Sequence, residues 1–282
     1  MLVLINGSPE HLVSSSDRGL NYGDGLFETI AVANGKPQLW QSHLDRLNLG
    51  CQRLQIPTPE PQLLWNEALG LTQHCNCGVL KILITRGIGG RGYTPAYNPK
   101  PTRILSLHSQ PQYPSHWWIQ GIKIRTCNTI LSTNPILAKI KHTNRLEQIL
   151  ASMESKDPNT AEGLMQNITG QWICGTKTNF FLVQSKRLIT PPINNCGIIG
   201  IMRNYIMAKA RNHGWQVLEC PVETSDLMRA SGIFVTNSII GIWPVQSLDS
   251  RQYDTDALPL NLRRLWLQDI TCTPLTTIAC DD

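Results

Sequence analysis

Apolar residues and turn signals in the first third of the chain predict a hairpin followed by a helix. Two apolar stretches, residues 26–33 and 36–40, flank Asn34 and Gly35, a pair that favours a tight hairpin turn. Beyond the hairpin, apolar side chains recur at spacings of three and four, which predicts an amphipathic helix that opens at Ser42. These side chains are Leu44, Leu47, Cys51 and Leu54.

The same patterns predict alternating strands and helices along the rest of the chain. A first strand in residues 1–7 ends in a turn, and further strands are predicted at residues 79–85, 103–107, 122–126, 163–166, 172–174, 180–183 and 233–236. Helices are predicted at residues 62–71, 144–154, 201–212 and 260–267. A proline-containing stretch at residues 110–115 marks a boundary. We therefore expect two α/β domains, a smaller one over residues 1–112 and a larger one over residues 113–282.

Composition narrows the class of protein without indicating a chemistry. The 282 residues are 41% hydrophobic and 16% charged, which suits a chain with a sizeable buried core. The net charge of +5 comes without a dense run of Lys and Arg, so no nucleic-acid partner is implied. No apolar run approaches the roughly 18 residues of a membrane span. The nine cysteines form no CxxC pair, which favours a reduced, cytoplasmic chain.

Three familiar chemical signatures are absent from the sequence. The glycine-rich stretch at residues 87–93 lacks the Gly-Lys-Ser/Thr ending of a phosphate-binding loop. His74, Cys75 and Cys77 carry metal-ligand atoms, but no second ligand pair follows at the spacing of a zinc site, so no metal is expected. No Gly-x-Ser-x-Gly motif is present to anchor a hydrolase triad.

One lysine is distinguished by its surroundings. Lys141 lies where an irregular stretch meets the helix predicted to begin near Asn144, with His142 and Arg145 close in sequence. A lysine amine has a pKa of about 10.4 and becomes a nucleophile only when burial or a nearby cation lowers that pKa. Taken alone, the pattern favours an ordinary solvated lysine, since lysine is almost never fully buried.

A series of ordered motifs changes this interpretation of Lys141. The motifs occupy residues 16–29, 43–47, 86–93, 140–148, 178–181, 190–191, 197–203 and 236–245. In their order they resemble the fold-type IV pyridoxal-phosphate enzymes, the family of branched-chain and D-amino-acid aminotransferases. The Gly-Gly-Arg-Gly-Tyr loop and the Lys-His-x-Asn-Arg-Leu-Glu-Gln segment resemble the 4-amino-4-deoxychorismate lyase branch of that family. The resemblance implies a two-domain α/β fold like that of D-amino-acid aminotransferase, with the cofactor bound by the larger C-terminal domain.

The resemblance also implies roles for residues around pyridoxal 5'-phosphate. Lys141 matches the lysine that bonds covalently to the cofactor, and Arg46 matches the arginine that binds its phosphate. Ile201 and Met202 open a predicted helix whose free N–H groups suit a phosphate. The further positions implied at the cofactor are Cys174, Asn179 and Ser238.

Cys174 departs from the pattern of the family. Many relatives have Glu at this position, five residues before Asn179, where the carboxylate keeps the pyridine nitrogen of the cofactor protonated. A thiol is neutral near its usual pKa of about 8.5 and holds such a proton poorly. Cys174 is therefore either a weaker electronic partner of the cofactor or a small buried residue that fills space.

The resemblance implies an activity as well. It assigns Arg91, Tyr93 and His142 to the substrate side of the site, and it implies conversion of 4-amino-4-deoxychorismate to 4-aminobenzoate and pyruvate for folate synthesis. The family also implies a homodimer. Two alternatives stay open. One is a fold-type IV aminotransferase that acts on branched-chain or D-amino acids, and the other is a non-catalytic protein that binds pyridoxal phosphate.

Overall fold

The structure, a computed structural model, describes residues 2–268 and 270. Over these residues the chain has the expected α/β fold and forms two compact units. The first unit is Met1–Pro111 together with Ile140–Asn144, and the second is Gln112–Lys139 together with Arg145–Asp282. The boundary expected after residue 112 does not anticipate that the segment around Lys141 belongs to the first unit. Residues 271–282, whose role the sequence leaves open, lie outside the described residues.

The first unit is built on an antiparallel sheet. Its elements are β1 (Leu2–Ile5), α1 (Arg18–Tyr22), β2 (Gly25–Ala33), β3 (Lys36–Pro37), α2 (Trp40–Leu54), α3 (Pro61–Thr72), β4 (Cys77–Thr85) and β5 (Thr102–Ser109). The strands lie in the order β1-β5-β4-β2-β3, and each neighbouring pair is antiparallel. Helix α2 packs on β2, which places the residues of these two elements close together.

The hairpin predicted around Asn34 and Gly35 is confirmed, but the strand after it is shorter than expected. Both turn residues have positive φ angles, 49° and 78°, as a tight hairpin turn of this kind requires. The second strand then ends early, because Leu39 has a left-handed conformation with φ of 50° and α2 begins at Trp40. The predicted apolar face of α2 is buried at Leu44, Leu47 and Cys51.

The second unit is built on a mixed sheet. Its elements are a 3-10 turn (Ser115–Trp118), β6 (Ile122–Thr126), α4 (Leu146–Met153), β7 (Thr160–Gln166), β8 (Trp172–Gly175), β9 (Asn179–Gln184), β10 (Arg187–Thr190), α5 (Ile201–Asn212), β11 (Gln216–Glu219), α6 (Thr224–Arg229), β12 (Gly232–Asn237), β13 (Gly241–Leu248), β14 (Arg251–Gln252) and α7 (Leu260–Leu267). The strand order is β11-β10-β9-β12-β13-β6-β7-β8, and β14 pairs with β13. None of the helices in the described ranges is long and apolar enough to cross a membrane.

Most of the predicted elements of the second unit are confirmed, and the exceptions have clear causes. The helices at residues 201–212 and 260–267 have the expected bounds. The helix expected from residue 144 begins later, at Leu146. The sequence patterns missed β13, because its side chains are buried at successive positions instead of alternating ones. Pro244 also lies inside this strand, opposite Phe234 of β12, and a proline argues against a strand in a sequence pattern.

Candidate functional site

Lys141 lies on a short segment that pairs with the beginning of β2. The N–H of Phe27 donates to the Lys141 carbonyl (2.9 Å), and the N–H of Thr143 donates to the Gly25 carbonyl (3.0 Å). The Lys141 side chain is partly buried, and its Nζ lies 4.2 Å from the centroid of the Phe27 ring. Because a cation is attracted to an aromatic face, this contact favours one direction for the amine. Lys141 therefore extends from a fixed backbone.

The end of this segment is anchored at Gly23, directly after α1. The Thr143 hydroxyl (2.5 Å) and the Asn144 side-chain amide (2.9 Å) both donate to the Gly23 carbonyl. Gly23 has a φ of 63°, and a Cβ at this position would lie 2.5 Å from Asn144 Oδ1. Only glycine suits both the left-handed backbone and the close approach. The motif at residues 16–29 thus helps to position Lys141.

A buried cluster of three charged or polar side chains lies close to Lys141. Glu28 of β2 accepts hydrogen bonds from Arg46 Nε (2.8 Å) and Nη2 (2.6 Å), and it lies 2.6 Å from Nδ1 of His43. Glu28 and His43 are 1% exposed and Arg46 is 7% exposed, so water screens these contacts little. The predicted phosphate arginine, Arg46, therefore already holds a carboxylate, and a phosphate would add to an existing ion pair.

Its partners keep Glu28 ionised, and burial favours the neutral form of His43. Burial opposes ionisation of Glu28, but the charge and hydrogen bonds of Arg46, with the hydrogen bond from His43, outweigh it and lower its pKa to about 2. Burial lowers the pKa of His43 against the opposing effect of Glu28, and the charges of Arg46 and Lys141 lower it further. A neutral imidazole that donates from Nδ1 leaves Nε2 as an acceptor. Within residues 2–268 and 270, this buried Nε2 has no hydrogen-bond partner.

In the second unit, the N-terminus of α5 has the features of an anion site. Gly200 is its N-cap and no side chain caps it, so Ile201 and Met202 supply N–H groups at the positive end of the helix. Asn179 lies against this end, because its Nδ2 donates to the Ile198 carbonyl (3.1 Å) and a Cβ on Gly200 would overlap its Oδ1. The structure thus brings together the predicted residues Asn179, Ile201 and Met202.

The first turn of α5 is held in place by Arg203. This arginine is 1% exposed. Its Nε donates to the Thr190 hydroxyl (3.3 Å) and its Nη2 to the Pro191 carbonyl (2.9 Å), at the end of β10. It also pairs with Glu219 of β11. The sequence interpretation did not single out Arg203, although it ends the motif at residues 197–203.

Ser238 lies at the tip of the hairpin between β12 and β13 and is partly exposed. The side-chain oxygen of Asn237 accepts from the N–H groups of Ile239 (2.8 Å) and Ile240 (3.0 Å), which closes the turn around Ser238. Helix α5 packs against β12. In the described part of the chain, no hydrogen bond links Ser238 to α5. The turn that carries Ser238 is therefore well defined, but Ser238 is not bonded to the N-terminus of α5.

Cys174 lies on β8 and packs in an apolar cluster. The other buried members are Leu131, Ala151, Met165, Ile173, Ile193 and Cys196. Burial raises the pKa of the Cys174 thiol far above its usual value, and the nearby Cys196 and Glu162 raise it further against the opposing charge of Arg145. The packing agrees with Cys174 as a small residue that fills space. The neutral state of its thiol agrees with Cys174 as a weak electronic partner of the cofactor.

Two buried carboxylates were not identified from the sequence. Glu28 organises His43 and Arg46. Glu162 of β7 accepts hydrogen bonds from the N–H (2.9 Å) and hydroxyl (2.5 Å) of Thr176 and from the Thr178 hydroxyl (3.0 Å), which fixes the turn between β8 and β9. Glu28 lies inside an apolar strand, and a carboxylate is almost never buried unless it is paired, but the sequence does not show which residue is its partner.

Arg91 and Tyr93, which were predicted to contact substrate, lie in the loop between β4 and β5. Both side chains are exposed, and the Tyr93 ring meets the Tyr22 ring edge-on with centroids 5.8 Å apart. His142, the third predicted substrate residue, is partly buried and forms a bridge with Leu26 of β2. The loop therefore presents Arg91 and Tyr93 outward, whereas His142 is fixed next to Lys141.

The predicted residues are divided between the two units. The first unit holds Arg46, Arg91, Tyr93, Lys141 and His142, and the second holds Cys174, Asn179, Ile201, Met202 and Ser238. Each unit supplies groups that suit one part of a phosphorylated aldehyde. The first supplies an amine beside a cation and a buried acceptor nitrogen, and the second supplies an uncapped helix N-terminus. These donor sets fit pyridoxal 5'-phosphate.

Comparisons with known proteins identify the family of the chain. The family model described as Amino-transferase class IV matches residues 25–248. The chain is 32% identical to the aminodeoxychorismate lyase of Vibrio harveyi, over 89% of this chain and 93% of that protein. It is 25% identical to a D-alanine aminotransferase of Listeria monocytogenes, over 89% of each chain.

Solved structures extend the likeness to three dimensions. The crystal structure of 4-amino-4-deoxychorismate lyase from Pseudomonas aeruginosa matches this chain with a TM-score of 0.91 and 40% sequence identity. That match covers 96% of this chain and 100% of the Pseudomonas chain. The branched-chain amino acid aminotransferase of Escherichia coli shares the fold, with a TM-score of 0.84 at 22% identity. The chain therefore belongs to the class IV aminotransferase family.

Proposed function

We propose that this chain is a lyase dependent on pyridoxal 5'-phosphate that converts 4-amino-4-deoxychorismate to 4-aminobenzoate and pyruvate for folate synthesis. The observation that carries the proposal is the placement of Lys141, whose amine extends from a fixed backbone beside the buried cluster of Glu28, His43 and Arg46. The names of the Vibrio and Pseudomonas relatives support the choice of substrate.

The family resemblance implies which residues of the chain would hold the cofactor. Lys141 would bond to it covalently, and Arg46, Ile201 and Met202 would bind its phosphate, with Asn179 and Ser238 as further contacts. When bound, pyridoxal phosphate withdraws electrons from the carbon that carries the substrate amine, so a proton on that carbon becomes removable. The protein has to supply a base and a proton donor at the right place.

Lys141 is the group that would move protons. Its Nζ would take the proton from the amine-bearing ring carbon and return a proton to the departing enolpyruvyl group, while the C–O bond breaks and the ring becomes aromatic. His43 cannot compete for this proton easily, because burial and the nearby cations lower its pKa. The contact with Phe27 keeps the amine directed, which matters because proton transfer requires hydrogen-bond reach.

The substrate has two carboxylates, and exposed cationic and phenolic groups would bind them. Arg91 is exposed at the loop between β4 and β5, and its planar guanidinium matches a carboxylate in a bidentate arrangement. Tyr93 supplies a hydroxyl from the same loop. His142 lies next to Lys141 in the chain and would border the reacting end of the substrate.

Cys174 favours the lyase over the aminotransferase. A transaminase needs a protonated pyridine nitrogen throughout its cycle, and a buried neutral thiol does not supply that support. The lyase step expels a leaving group and gains aromaticity, so it needs less electron withdrawal by the cofactor.

An apolar stripe on α4 supports a homodimer. Its side chains recur at spacings of three and four and are all exposed: Leu146 (73%), Ile149 (52%), Leu150 (55%) and Met153 (69%). A further exposed apolar residue, Ile130 (52% exposed), follows Thr129, whose N–H donates to Glu154 at the end of α4 (2.7 Å). A contiguous apolar face of this kind is rare on monomeric proteins. We propose that a second copy of the chain covers it.

The experiment is a two-arm assay on the chain loaded with pyridoxal phosphate. In the first arm, release of pyruvate and 4-aminobenzoate from 4-amino-4-deoxychorismate is measured with no amino acceptor present. In the second, D- and L-amino acids are added and the loss of the absorbance band of the lysine-bound cofactor is followed. Pyruvate release with slow loss of the band supports the lyase. Rapid loss of the band without pyruvate indicates the alternative aminotransferase for branched-chain or D-amino acids, and a stable band with neither reaction indicates a binding protein.

The cytoplasm is the proposed location. The seven cysteines that lie in the described ranges are all free thiols, in agreement with the reducing compartment expected from their scattered spacing.

A further inference from the structure

The residues of the glycine-rich loop, 87–93, do little by themselves to fix the conformation of its backbone. Four of its seven residues are glycines, which lose the most conformational entropy when they are fixed. The side chains of Arg91 and Tyr93 are exposed, so packing within the loop does little to hold its backbone. Contacts from outside the loop are therefore needed to keep it in one conformation.

A buried side chain supplies such contacts at the end of the loop. Arg18, the first residue of α1, is 4% exposed. Its Nη1 donates to the Gly92 carbonyl (3.0 Å) and its Nη2 donates to the Tyr93 carbonyl (2.8 Å). One planar guanidinium thus fixes two successive peptide groups, and these directly follow Arg91.

Arg18 is itself firmly anchored. Its Nε donates to Asp24 Oδ2 (2.9 Å), and its guanidinium lies 4.7 Å from the centroid of the Tyr22 ring. Asp24 also accepts two hydrogen bonds from Arg86 (2.7 and 2.9 Å). Arg86 in turn donates to the Leu54 carbonyl at the end of α2 (2.7 Å). The loop is therefore tied through Arg18 and Asp24 to a long helix.

Tyr22 and the backbone of α1 complete the attachment. The N–H of Gly92 donates to the Tyr22 hydroxyl (3.1 Å), and the Tyr22 ring packs on Tyr93. At the other end of the loop, the Arg18 N–H donates to the Gly87 carbonyl (2.9 Å). Both ends of the loop are thus attached to one short helix.

Two adjacent glycines show how closely the loop packs on Arg18. A Cβ on Gly89 would lie 2.6 Å from Cδ and 2.9 Å from Cγ of Arg18, so an alanine there must displace the arginine. A Cβ on Gly90 would have nothing within 4 Å. Neither glycine has a positive φ, so alanine is compatible with the backbone at both positions. Gly89 and Gly90 therefore form a matched pair for substitution.

From these contacts we propose that Arg18 is a positioning residue for substrate binding, which holds the loop so that Arg91 and Tyr93 meet the carboxylates of the substrate in one arrangement. This inference rests on the proposed function. When the loop is released, only a fraction of molecules has the competent arrangement, and the apparent affinity falls by that fraction. Proton transfer at Lys141 does not depend on the loop backbone, so KM should rise with little change in kcat.

The test compares the parent with Arg18→Lys, Gly89→Ala and the control Gly90→Ala. Trypsin cleavage of the Arg91–Gly92 bond is followed by mass spectrometry on the folded, cofactor-loaded protein, and each rate is divided by that of a synthetic peptide with the same loop sequence. Cleavage reports the population of the open loop when opening is fast. Because hydrogen bonds from a charged group are lost, we expect cleavage and KM each to rise about tenfold or more in Arg18→Lys and Gly89→Ala. Gly90→Ala should match the parent.

Three outcomes would overturn the proposal. The first is unchanged cleavage in both Arg18→Lys and Gly89→Ala, and the second is an equal increase in Gly89→Ala and Gly90→Ala. The third is faster cleavage with unchanged KM, which would make Arg18 a purely structural residue. The protease comparison uses no substrate, so it tests the ordering of the loop even if the parent shows no lyase turnover, a result that would instead refute the proposed function.

Discussion

At the residue scale, the surroundings of Lys141 are set by which nearby groups carry charge. Glu28 stays ionised because Arg46 holds it in a bidentate pair, and His43 is kept neutral by burial with two cations in range. Glu28 and Arg46 together carry no net charge. The amine of Lys141 therefore lies near the Glu28–Arg46 ion pair, which has no net charge, and near the neutral imidazole of His43. We expect these surroundings to allow Lys141 to bond to a cofactor and to transfer protons.

Replacing Arg46 should weaken cofactor binding. Arg46→Ala removes a charge-assisted contact to phosphate, so we expect the Kd for pyridoxal phosphate to rise by roughly 10- to 150-fold. It also leaves Glu28 buried without its partner, at a cost of about 3–5 kcal/mol in folding free energy. Glu28→Ala is the control, since it breaks the same pair and keeps the guanidinium. Equal Kd values for the two variants, measured by titration of the folded cofactor-free proteins, would contradict a direct role for Arg46.

The neutral state of His43 predicts a pH dependence of stability. Folding lowers the pKa of His43 below its usual 6.5, so the unfolded chain binds the proton more readily and stability falls as the pH decreases through 6.5. One proton accounts for at most about 1.4 kcal/mol per pH unit. Glu28, with a folded pKa of about 2, contributes a constant amount in this range. Urea unfolding between about pH 5 and 7.5 should show a smaller slope for His43→Gln than for the parent. Identical slopes would show that folding does not shift the pKa of His43, which would contradict the neutral state proposed for it.

At the element scale, the N-terminus of α5 depends on a single small residue. Gly200 allows Asn179 to lie against the first turn, and Arg203 ties that turn to β10. The N–H groups of Ile201 and Met202 are positioned by these contacts and not by a capping side chain.

A methyl group at Gly200 should disturb the helix N-terminus that we propose binds the cofactor phosphate. Gly200→Ala places Cβ on Asn179 Oδ1, and we expect a loss of about 1–3 kcal/mol in stability together with weaker binding of pyridoxal phosphate. Gly70→Ala is the control, because Gly70 lies in α3 with open space around it and alanine should stabilise that helix by roughly 0.5–1 kcal/mol. Thermal unfolding and cofactor titration check both. A Gly200→Ala protein that binds cofactor as the parent does would refute the role of this terminus.

Some elements and site residues could be predicted from the sequence, and others could not. Helix α5 was predicted with its bounds because its apolar positions recur with the helical period, and Lys141 and Arg46 were assigned from the ordered motifs. Strand β13 was missed because continuous burial removes the alternation that identifies a strand. Glu28 was missed because its partners come from α2, and pairing between distant elements has no local signal. The attachment of the Lys141 segment to β2 is likewise a contact between residues far apart in sequence.

At the scale of the whole molecule, the exposed stripe on α4 is the surface that we propose a second copy covers. Leu150→Glu places a charge in its middle, and we expect the dimer to dissociate about 100-fold more readily. Met228→Glu is a matched control, since Leu150 is 55% exposed and Met228, on α6, is 54% exposed. Sedimentation over a range of concentrations checks both. Equal dissociation of the two variants, or a parent that is monomeric throughout, would contradict this assignment of the dimer face.

The role of Lys141 in a lyase reaction is tested by one comparison of turnover. Pyruvate release from 4-amino-4-deoxychorismate, with excess pyridoxal phosphate and no amino acceptor, is measured for the parent, Lys141→Ala and Lys139→Ala. Lys139 is the matched control because it lies two residues away, in the second unit, where its backbone pairs with Gly197. We expect turnover in the parent and near-parent turnover in Lys139→Ala. In Lys141→Ala we expect a loss of several orders of magnitude, because nucleophile and base are removed together. Turnover that survives in Lys141→Ala, or disappears only in Lys139→Ala, would contradict this role of Lys141.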